Sequence, residues 1–178
     1  MFPEKIFFVG YMGSGKTTLG KKIAKKLNIN FYDSDDIIEQ QYGKKISKIF
    51  KEDGERKFRE LESACFHELV QLPSGIISTG GGLPCVESRM EIMNQQGLTV
   101  YLRCTPKFLL SRLMQGSTER PLISGMNADM ILNKINTDLV IRTPFYSKAH
   151  CIIDADAMQL EEALEAIVKC ASLKTNRQ

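Results

Sequence analysis

The chain has 178 residues, a formal net charge of +3 and 43% hydrophobic residues, which is enough apolar material for a globular core. A chain of this length forms one domain that buries about 70% of its unfolded surface without needing disulfides or metals. It has no apolar run of membrane-spanning length, and Glu4 and Lys5 interrupt its short apolar start, so we expect a cytoplasmic protein without a signal peptide or a membrane partner.

The first predicted element is a strand at residues 6–9, where four apolar, β-prone side chains indicate burial. The stretch Gly10–Thr17 follows and fits G-x-x-x-x-G-K-[ST], in which backbone N–H groups cradle phosphates. Apolar residues then recur every four positions over 19–27, which predicts a helix with its positive N-terminal end at the loop. Strand, loop and helix predict a nucleotide phosphate site, with Lys16 on the β- and γ-phosphates and Thr17 on Mg²⁺.

The basic residues are spread along the chain, with one local cluster between Lys21 and Lys26 in this first helix. A cluster of this kind is typical of the solvated face of a helix. We therefore expect no nucleic-acid partner.

The five cysteines lie far apart at Cys65, Cys85, Cys104, Cys151 and Cys170. Their number is odd and no C-x-x-C pair occurs, which predicts neither a disulfide framework nor a zinc site. We expect them to be small core residues of a protein in a reducing cytoplasm.

Strands and helices alternate through the rest of the chain. The predicted strands are 31–32, 76–78, 98–102 and 151–153, and the predicted helices are 35–42, 47–51, 55–72, 87–96, 106–114, 127–145 and 158–174. The polar segment 115–127 carries Arg120-Pro121, lacks apolar periodicity and predicts a mobile flap. The alternation indicates a parallel sheet with helices on both faces, in one domain spanning residues 1–178.

A phosphate loop alone leaves GTPases, ATPases, small-molecule kinases and motor modules open. GTPases usually read guanine through N-K-x-D. The nearest stretch here, residues 133–136, lacks the aspartate and falls inside a predicted helix, which disfavours a GTPase.

Two carboxylates follow the second strand at Asp33 and Asp35, at the sheet edge where ligands bind in open α/β folds. If the segment is still extended there, both point the same way, so that one can hold water on Mg²⁺ while the other faces an acceptor hydroxyl. Aspartate is also a favoured N-cap residue, so the start of a helix explains the pair equally well.

Two further stretches suggest anion binding. Arg59 and Glu62 share a helix face, where the pair is either an ordinary surface salt bridge or a device that orients a guanidinium towards an anion. Gly80, Gly81 and Gly82 follow a buried strand and suit close backbone approach to a ligand, although a flexible loop has the same composition.

The ordered set of motifs resembles the shikimate kinase family over nearly the whole chain. The matching pieces are Gly10–Thr18, Asp33-x-Asp35, Gly54-x-x-x-Phe58-Arg59-x-x-Glu62, Gly80–Gly82, Arg120-Pro121-Leu122 and Arg142-x-Pro144-x-Tyr146. The resemblance implies a nucleoside-monophosphate-kinase-like fold, a three-layer α/β sandwich around a five-stranded parallel sheet of order 2-3-1-4-5. It also implies an acceptor-binding insertion at 33–62 and a mobile lid at 113–126.

The implied activity is transfer of the ATP γ-phosphoryl group to the 3-hydroxyl of shikimate, in the pathway to chorismate and the aromatic amino acids. The implied enzyme is a Mg²⁺-dependent, cytoplasmic monomer whose substrates are ATP and shikimate. Gluconate kinase shares the phosphate loop and the fold, but the Phe-Arg-x-x-Glu and triple-glycine pieces favour shikimate. A catalytically silent nucleotide-binding module is the alternative from a different class, and Asp35 and Arg120 favour catalysis instead.

The resemblance also implies a role for each matching residue. The ATP-binding residues are Gly13, Ser14, Gly15, Lys16, Thr17, Thr18 and Arg120; Thr17 and Asp33 hold the metal; and the catalytic residues are Lys16, Asp35 and Arg120. The acceptor-binding residues are Asp35, Arg59, Gly80, Gly81, Gly82 and Arg142, with Phe50 and Phe58 as an apolar wall. Asp35 is the implied proton acceptor, and Glu62 is implied to orient both arginines.

One position departs from the family pattern. The family often carries an arginine seven residues before the flap arginine, where it stacks on adenine, and here that position is Leu113. Its neighbour Arg112 is one candidate for the stacking residue. Residues 154–158, on the other side of the expected adenine pocket, show no diagnostic side chain.

Overall fold

The computed structural model describes residues 3–116 and 120–175 as alternating strands and helices. The strands are β1 (Lys5–Val9), β2 (Phe31–Asp33), β3 (Gly75–Ser78), β4 (Leu98–Arg103) and β5 (Cys151–Asp154). The helices are α1 (Lys16–Leu27), α2 (Ser34–Tyr42), α3 (Ile46–Glu52), α4 (Gly54–Gln71), α5 (Arg89–Gln96), α6 (Pro106–Gln115), α7 (Ala128–Tyr146) and α8 (Leu160–Thr175). The predicted element types are confirmed, with most bounds shifted by one or two residues.

The five strands form one parallel sheet in the order β2-β3-β1-β4-β5, as predicted. β1 lies in the middle, with Phe8 opposite Ser78 of β3 and Val100 of β4. Just past this pair, the backbone N–H and the hydroxyl of Thr79 both donate to the Phe8 carbonyl, at 3.1 and 3.0 Å. The carboxyl ends of β1 and β3 are therefore held in a fixed register.

Helices cover both faces of the sheet because every side chain of β1 is buried and successive side chains point to opposite faces. Ile6 and Phe8 pack against α1 and α8 through a cluster that includes Ile23 and Ile167. The opposite face, which includes Phe7, packs against the helices α2, α3, α4 and α5. The predicted three-layer α/β sandwich is confirmed.

Most helix starts differ from the prediction by one or two residues, and those of α2 and α5 are examples. α2 begins at Ser34 instead of Asp35, and α5 begins at Arg89 instead of Glu87. Before α5 the chain makes a 3-10 turn at Leu83–Cys85, and Ser88 adopts a left-handed φ of 68°, which interrupts the helix.

The predicted flap at 115–127 is described only in part, because residues 117–119 lie outside the described residues. Past that gap the chain forms a 3-10 turn at Pro121–Ile123, and the side chain of Ile123 is buried in a cluster with Tyr11 and Leu113. This end of the segment is therefore anchored to the core. Movement of the lid stays a prediction.

The prediction that all five cysteines are unlinked is wrong. Cys151 of β5 and Cys170 of α8 form a disulfide, with their Cα atoms 5.7 Å apart. The two residues are 19 positions apart, and only the packing of α8 on the sheet edge brings them together, so their spacing gave no signal. Cys65, Cys85 and Cys104 are free.

Over the ranges 3–116 and 120–175, no helix has the length and apolar character that a bilayer crossing requires.

Candidate active site

The loop between β1 and α1 is shaped by glycines in left-handed conformations. Gly13 has a φ of 84° and Gly15 a φ of 92°, values that a residue with a β-carbon rarely adopts. Lys16 Nζ donates to the carbonyl oxygens of Gly10 and Tyr11, at 2.8 and 2.9 Å. Burial lowers the pKa of Lys16 to about 8. Its ammonium group thus lies over the loop, and Lys16 lines a cavity of about 960 Å³ at this edge of the sheet.

Oxygen atoms from three elements meet at the start of α1. Thr17 Oγ1 donates to Asp33 Oδ2 at 2.7 Å and lies 3.3 Å from Ser78 Oγ. A hydroxyl and a carboxylate fit Mg²⁺, which prefers oxygen ligands and usually takes only one or two from protein beside phosphate and water. In the part of the chain that the structure describes, no cluster of three or more His, Cys, Asp or Glu side chains is placed to hold a metal ion.

Asp35 lies in the first turn of α2 and faces the cavity. Burial raises its pKa to about 7, and the nearby carboxylates of Asp33 and Glu62 add to the rise. At neutral pH this carboxyl group is therefore balanced between its two protonation states, as a general base needs to be.

The condition under which Asp33 and Asp35 would point the same way, an extended segment through Asp35, is not met, since α2 already begins at Ser34. The N-cap interpretation is confirmed for Asp33, whose Oδ1 accepts a hydrogen bond from the Asp35 backbone N–H at 3.0 Å. Asp33 therefore caps α2 with one oxygen and meets Thr17 with the other. The N-cap role is compatible with the predicted metal-binding role of Asp33, which stays a prediction.

The Arg59 guanidinium is held by two carboxylates on its own helix. Nη1 donates to Glu62 Oε2 and Nη2 to Glu55 Oε1, both at 2.9 Å. Glu62 is 2% exposed, so the pair with Arg59 is not an ordinary surface salt bridge. Phe50 and Phe58 pack against each other with ring centroids 4.8 Å apart and a tilt of 39°, and both residues line the cavity.

Arg142 approaches the same cavity from α7, but its carboxylate partner is Asp138. Nη2 donates to Asp138 Oδ2 at 3.2 Å, and the guanidinium lies over the Tyr11 ring. The expectation that Glu62 orients both arginines is therefore corrected: Glu62 contacts Arg59, which is on the same helix one turn away, whereas α7 brings its own acid.

The triple-glycine loop lies where these groups converge. A β-carbon at Gly80 would lie 2.9 Å from Asp35 Oδ1, one at Gly81 would lie 3.5 Å from Arg142 Nη1, and one at Gly82 would lie 2.7 Å from Arg59 Nη1. Side chains at Gly80 and Gly82 would displace the charged groups, whereas the tightest neighbour of a β-carbon at Gly81 is the Met12 backbone nitrogen, at 3.2 Å. The Gly81 carbonyl is itself fixed, because it accepts a hydrogen bond from the Tyr146 hydroxyl at 2.5 Å.

Arg120 reaches the phosphate loop from the anchored end of the lid segment. A β-carbon at Gly13 would lie 3.7 Å from Arg120 Nη1, and burial lowers the pKa of this guanidinium. Arg112 also lines the cavity, with its Cζ 5.9 Å from the Phe108 ring centroid. Leu113, at the position where the family often has arginine, is buried against Gly13 and has no access to a base.

A second cavity of about 650 Å³ opens beside residues 154–158, the predicted far side of the adenine pocket. Its wall includes Thr105, whose hydroxyl donates to Asp156 Oδ2 at 2.7 Å. Contacts with adenine stay a prediction.

Nearly all of the predicted site residues line one cavity of about 960 Å³. They are Gly13, Gly15, Lys16, Thr17, Thr18, Asp33, Asp35, Phe50, Phe58, Arg59, Glu62, Gly80, Gly81, Gly82, Arg112, Arg120 and Arg142. The side chain of Ser14 is buried and lies outside the cavity wall.

The sequence analysis missed Tyr11 and Asp138, which contact Arg142 from outside the cavity wall. The spacing of Asp138 and Arg142, four residues apart on one helix, was the available signal. No pattern in the sequence indicated the contact between Tyr11 and Asp138, which are 127 positions apart.

A phosphate loop, a carboxylate with a pKa near 7 and two guanidinium groups line one cavity at the carboxyl edge of a parallel sheet, and this arrangement defines a P-loop kinase of small molecules. Sequence comparison narrows this class. The family model described as shikimate kinase matches residues 12–172. A shikimate kinase of Bacteroides fragilis is 44% identical over 165 residues, 93% of this chain and 92% of that protein. The chain belongs to the shikimate kinase family.

Solved structures agree with this assignment. The shikimate kinase of Bacteroides thetaiotaomicron superposes with a TM-score of 0.85 at 40% identity, covering 97% of this chain and 99% of that one. The shikimate kinase of Acinetobacter baumannii, solved in complex with shikimate, gives a TM-score of 0.81 at 32% identity over 98% of this chain and 94% of that one.

Proposed function

We propose that the protein transfers the γ-phosphoryl group of ATP to the 3-hydroxyl of shikimate, giving ADP and shikimate 3-phosphate on the way to chorismate and the aromatic amino acids. One observation carries the proposal: Arg59 and Arg142 line a single cavity with Asp35 and the phosphate loop. Guanidinium groups suit a carboxylate, and a carboxylate with a pKa of about 7 suits a hydroxyl. Shikimate carries both groups.

In this proposal the acceptor lies between Asp35 and the two arginines. Arg59 and Arg142 bind its carboxylate beside Gly82 and Gly81, and Phe50 and Phe58 provide an apolar wall. Asp35 accepts the proton of the attacking hydroxyl. Phosphoryl transfer depends chiefly on such positioning and on charge stabilisation, because little covalent chemistry is left to the protein.

Lys16 and Arg120 supply positive charge on the phosphate side. Lys16 exchanges the carbonyls of Gly10 and Tyr11, which its Nζ contacts at 2.8 and 2.9 Å, for phosphate oxygens. Arg120 enters from the lid segment. Both cations offset the charge that develops on the transferred group and on the leaving oxygens.

Thr17 and Asp33 are the residues that would hold Mg²⁺, directly or through water. When bound, this ion supplies charge neutralisation at the phosphates. The oxygen-only donor set and the 2.7 Å contact between the two side chains support this assignment.

The remaining assignments complete the proposal. The protein acts as one domain, residues 33–62 form the acceptor-binding insertion, and residues 113–126 form a lid that closes to exclude water as a competing acceptor. It works as a monomer in the cytoplasm.

A coupled ADP-release assay with MgATP and shikimate tests the function. We expect turnover of about 1–100 s⁻¹ that depends on shikimate, with no comparable rate when gluconate replaces it. The Lys16→Met variant should lose turnover while keeping the wild-type circular dichroism spectrum. Lys25→Met, on the exposed face of the same helix, is the matched control and should retain activity.

Each other result overturns the proposal in a different way. Faster ADP release with gluconate would assign a gluconate-type kinase. Nucleotide binding without any acceptor-dependent ADP release would assign a silent binding module.

A further inference from the structure

A buried tyrosine and an aspartate connect the phosphate loop to the arginine at the acceptor end of the cavity. Tyr11 directly follows Gly10 in the loop and is 1% exposed. Its hydroxyl donates to Asp138 Oδ2 at 2.8 Å, and Arg142 Nη2 donates to the same oxygen at 3.2 Å. The Arg142 guanidinium also lies over the Tyr11 ring, with Cζ 5.2 Å from the centroid. We name these three residues the Tyr11–Asp138–Arg142 cluster.

The cluster fixes which edge of the Arg142 guanidinium faces the ligand cavity. Asp138 takes Nη2, and Nη1 lies on the other side, 3.5 Å from where a β-carbon would stand on Gly81. Asp138 itself does not line the cavity. Any effect of Asp138 on the acceptor therefore passes through Arg142.

An ordinary salt bridge between residues four apart on a helix surface would contribute little. Here the side chains of Asp138 and Arg142 are only 14% and 15% exposed, and the Tyr11 hydroxyl binds the shared oxygen. Lys134 also approaches Asp138, at 3.3 Å, but its side chain is 27% exposed. Partial burial and a second donor make the aspartate a fixed point on which the guanidinium is held.

We propose that Asp138 is a positioning residue that pre-orients Arg142 for the carboxylate of the acceptor acid, and that Tyr11 holds Asp138 in place. This inference rests on the proposed function. An arginine side chain that is ordered before binding loses less rotamer freedom when the ligand arrives, so the ligand binds more tightly. Loss of the pre-orientation therefore weakens acceptor binding and leaves ATP binding unchanged.

The test varies shikimate at saturating MgATP, and then MgATP at saturating shikimate. Asp138→Asn keeps the size of the side chain and removes its charge, so the KM for shikimate should rise about tenfold, the effect of losing a charged hydrogen bond. The KM for ATP should stay within about twofold. Asp129→Asn, which removes an exposed charge in the first turn of α7, is the matched control and should keep both constants.

Tyr11→Phe supplies an independent variant that removes one hydroxyl from the cluster. It leaves Asp138 paired with Arg142, so the KM for shikimate should rise by less, about threefold, without a matching rise for ATP. Because Tyr11 acts through Asp138, the double variant should resemble Asp138→Asn alone instead of multiplying the two effects.

Several outcomes overturn the inference. Equal changes in both KM values, a loss confined to kcat, or multiplicative effects in the double variant would each reject the positioning role. If Asp138→Asn fails to fold, a wild-type shikimate KM in folded Tyr11→Phe rejects it. Failure of the proposed function is recognised separately, because the wild-type protein would then show no shikimate-dependent ADP release.

Discussion

Two ionisable side chains of this site, Asp35 and Lys16, are held where burial disfavours their charged forms. Burial, together with the nearby carboxylates of Asp33 and Glu62, raises the pKa of Asp35 to about 7, so that its ionised form is unfavourable near neutral pH. Lys16 is buried, which disfavours its charged form. Both groups gain suitable partners, a hydroxyl proton and phosphate oxygens, when substrates bind. The strain on these residues is thus the counterpart of their proposed chemistry.

The titration of Asp35 should appear in the activity. Its pKa of about 7 predicts that kcat/KM for shikimate falls as the pH drops below that value, because the proton acceptor becomes occupied. Asp35→Asn should lower kcat by about 10²–10⁴-fold and remove this acidic limb. A limb that persists in Asp35→Asn would belong to the substrates. Turnover like that of the wild type would exclude Asp35 as the base.

The same residue should affect stability with the opposite sign. The folded protein holds the Asp35 proton up to about pH 7, whereas the carboxyl group has its ordinary pKa of 3.8 in the unfolded chain. The folded state binds more protons between these values, so the free energy of unfolding falls as the pH rises through this window. Asp35→Asn should therefore raise the Tm of the ligand-free protein at pH 8, and a lower Tm would contradict the burial of the charge.

A specific role of Arg59 in acceptor binding can be distinguished from a general effect of removing a positive charge. Arg59→Ala should raise the KM for shikimate by at least about tenfold and change the KM for ATP little, because the guanidinium group that binds the shikimate carboxylate is lost. Arg56 lies on the same helix with its side chain 94% exposed, so Arg56→Ala is the matched control. If Arg59→Ala affects both substrates equally, Arg59 does not belong to the acceptor site.

At the scale of elements, local patterns were enough to predict most of the fold. The phosphate loop, the apolar strands and the periodic helices each depend on residues close together in the sequence, and their order implies the parallel sheet. The start of α2 was placed one residue late because Asp33, which caps the helix, also contacts Thr17 outside it. The pairing of Cys151 with Cys170 was missed because it depends on how α8 packs.

The packing of α1 on the sheet depends on one glycine. A β-carbon on Gly20 would lie 2.6 Å from the Phe31 ring and 3.3 Å from Ile76 Cγ2. Gly20→Ala should therefore lower the free energy of unfolding by about 1–3 kcal/mol, the usual cost of overpacking. Denaturant unfolding measures this loss. Lys25 is exposed on the same helix, so Lys25→Ala should change the free energy of unfolding by less than about 0.5 kcal/mol. If Gly20→Ala lowers the free energy of unfolding no more than Lys25→Ala does, Gly20 is not tightly packed.

At the scale of the whole molecule, the site joins segments that are far apart in the chain. The phosphate loop follows β1, the glycine loop follows β3, and Arg142 comes from α7 near the far end of the sequence. The residue types of this set were predictable from their motifs. The family resemblance implied their convergence, but local patterns could not give it, because it depends on strand order and on contacts such as that between Tyr11 and Asp138, 127 positions apart.

This convergence predicts that the acceptor stabilises the whole fold. Shikimate at about 100 times its Kd should raise the free energy of unfolding by about 2.7 kcal/mol, since it binds only the folded state. In a domain of this size the Tm should then rise by several degrees. Arg59→Ala should lose this shift while keeping the shift caused by ADP. A wild-type Tm that does not respond to shikimate would contradict the assigned site.

The double hydrogen bond from Thr79 to the Phe8 carbonyl has a consequence for substrate range. These two hydrogen bonds fix the distance between the phosphate loop after β1 and the glycine loop after β3, beside which the acceptor is proposed to lie. Neither loop can shift relative to the other without breaking hydrogen bonds between β1 and the end of β3, at the centre of the sheet. We therefore expect relatives that phosphorylate larger or smaller recipients to differ in residues 33–62, the proposed acceptor-binding insertion, while the distance between the two loops is retained.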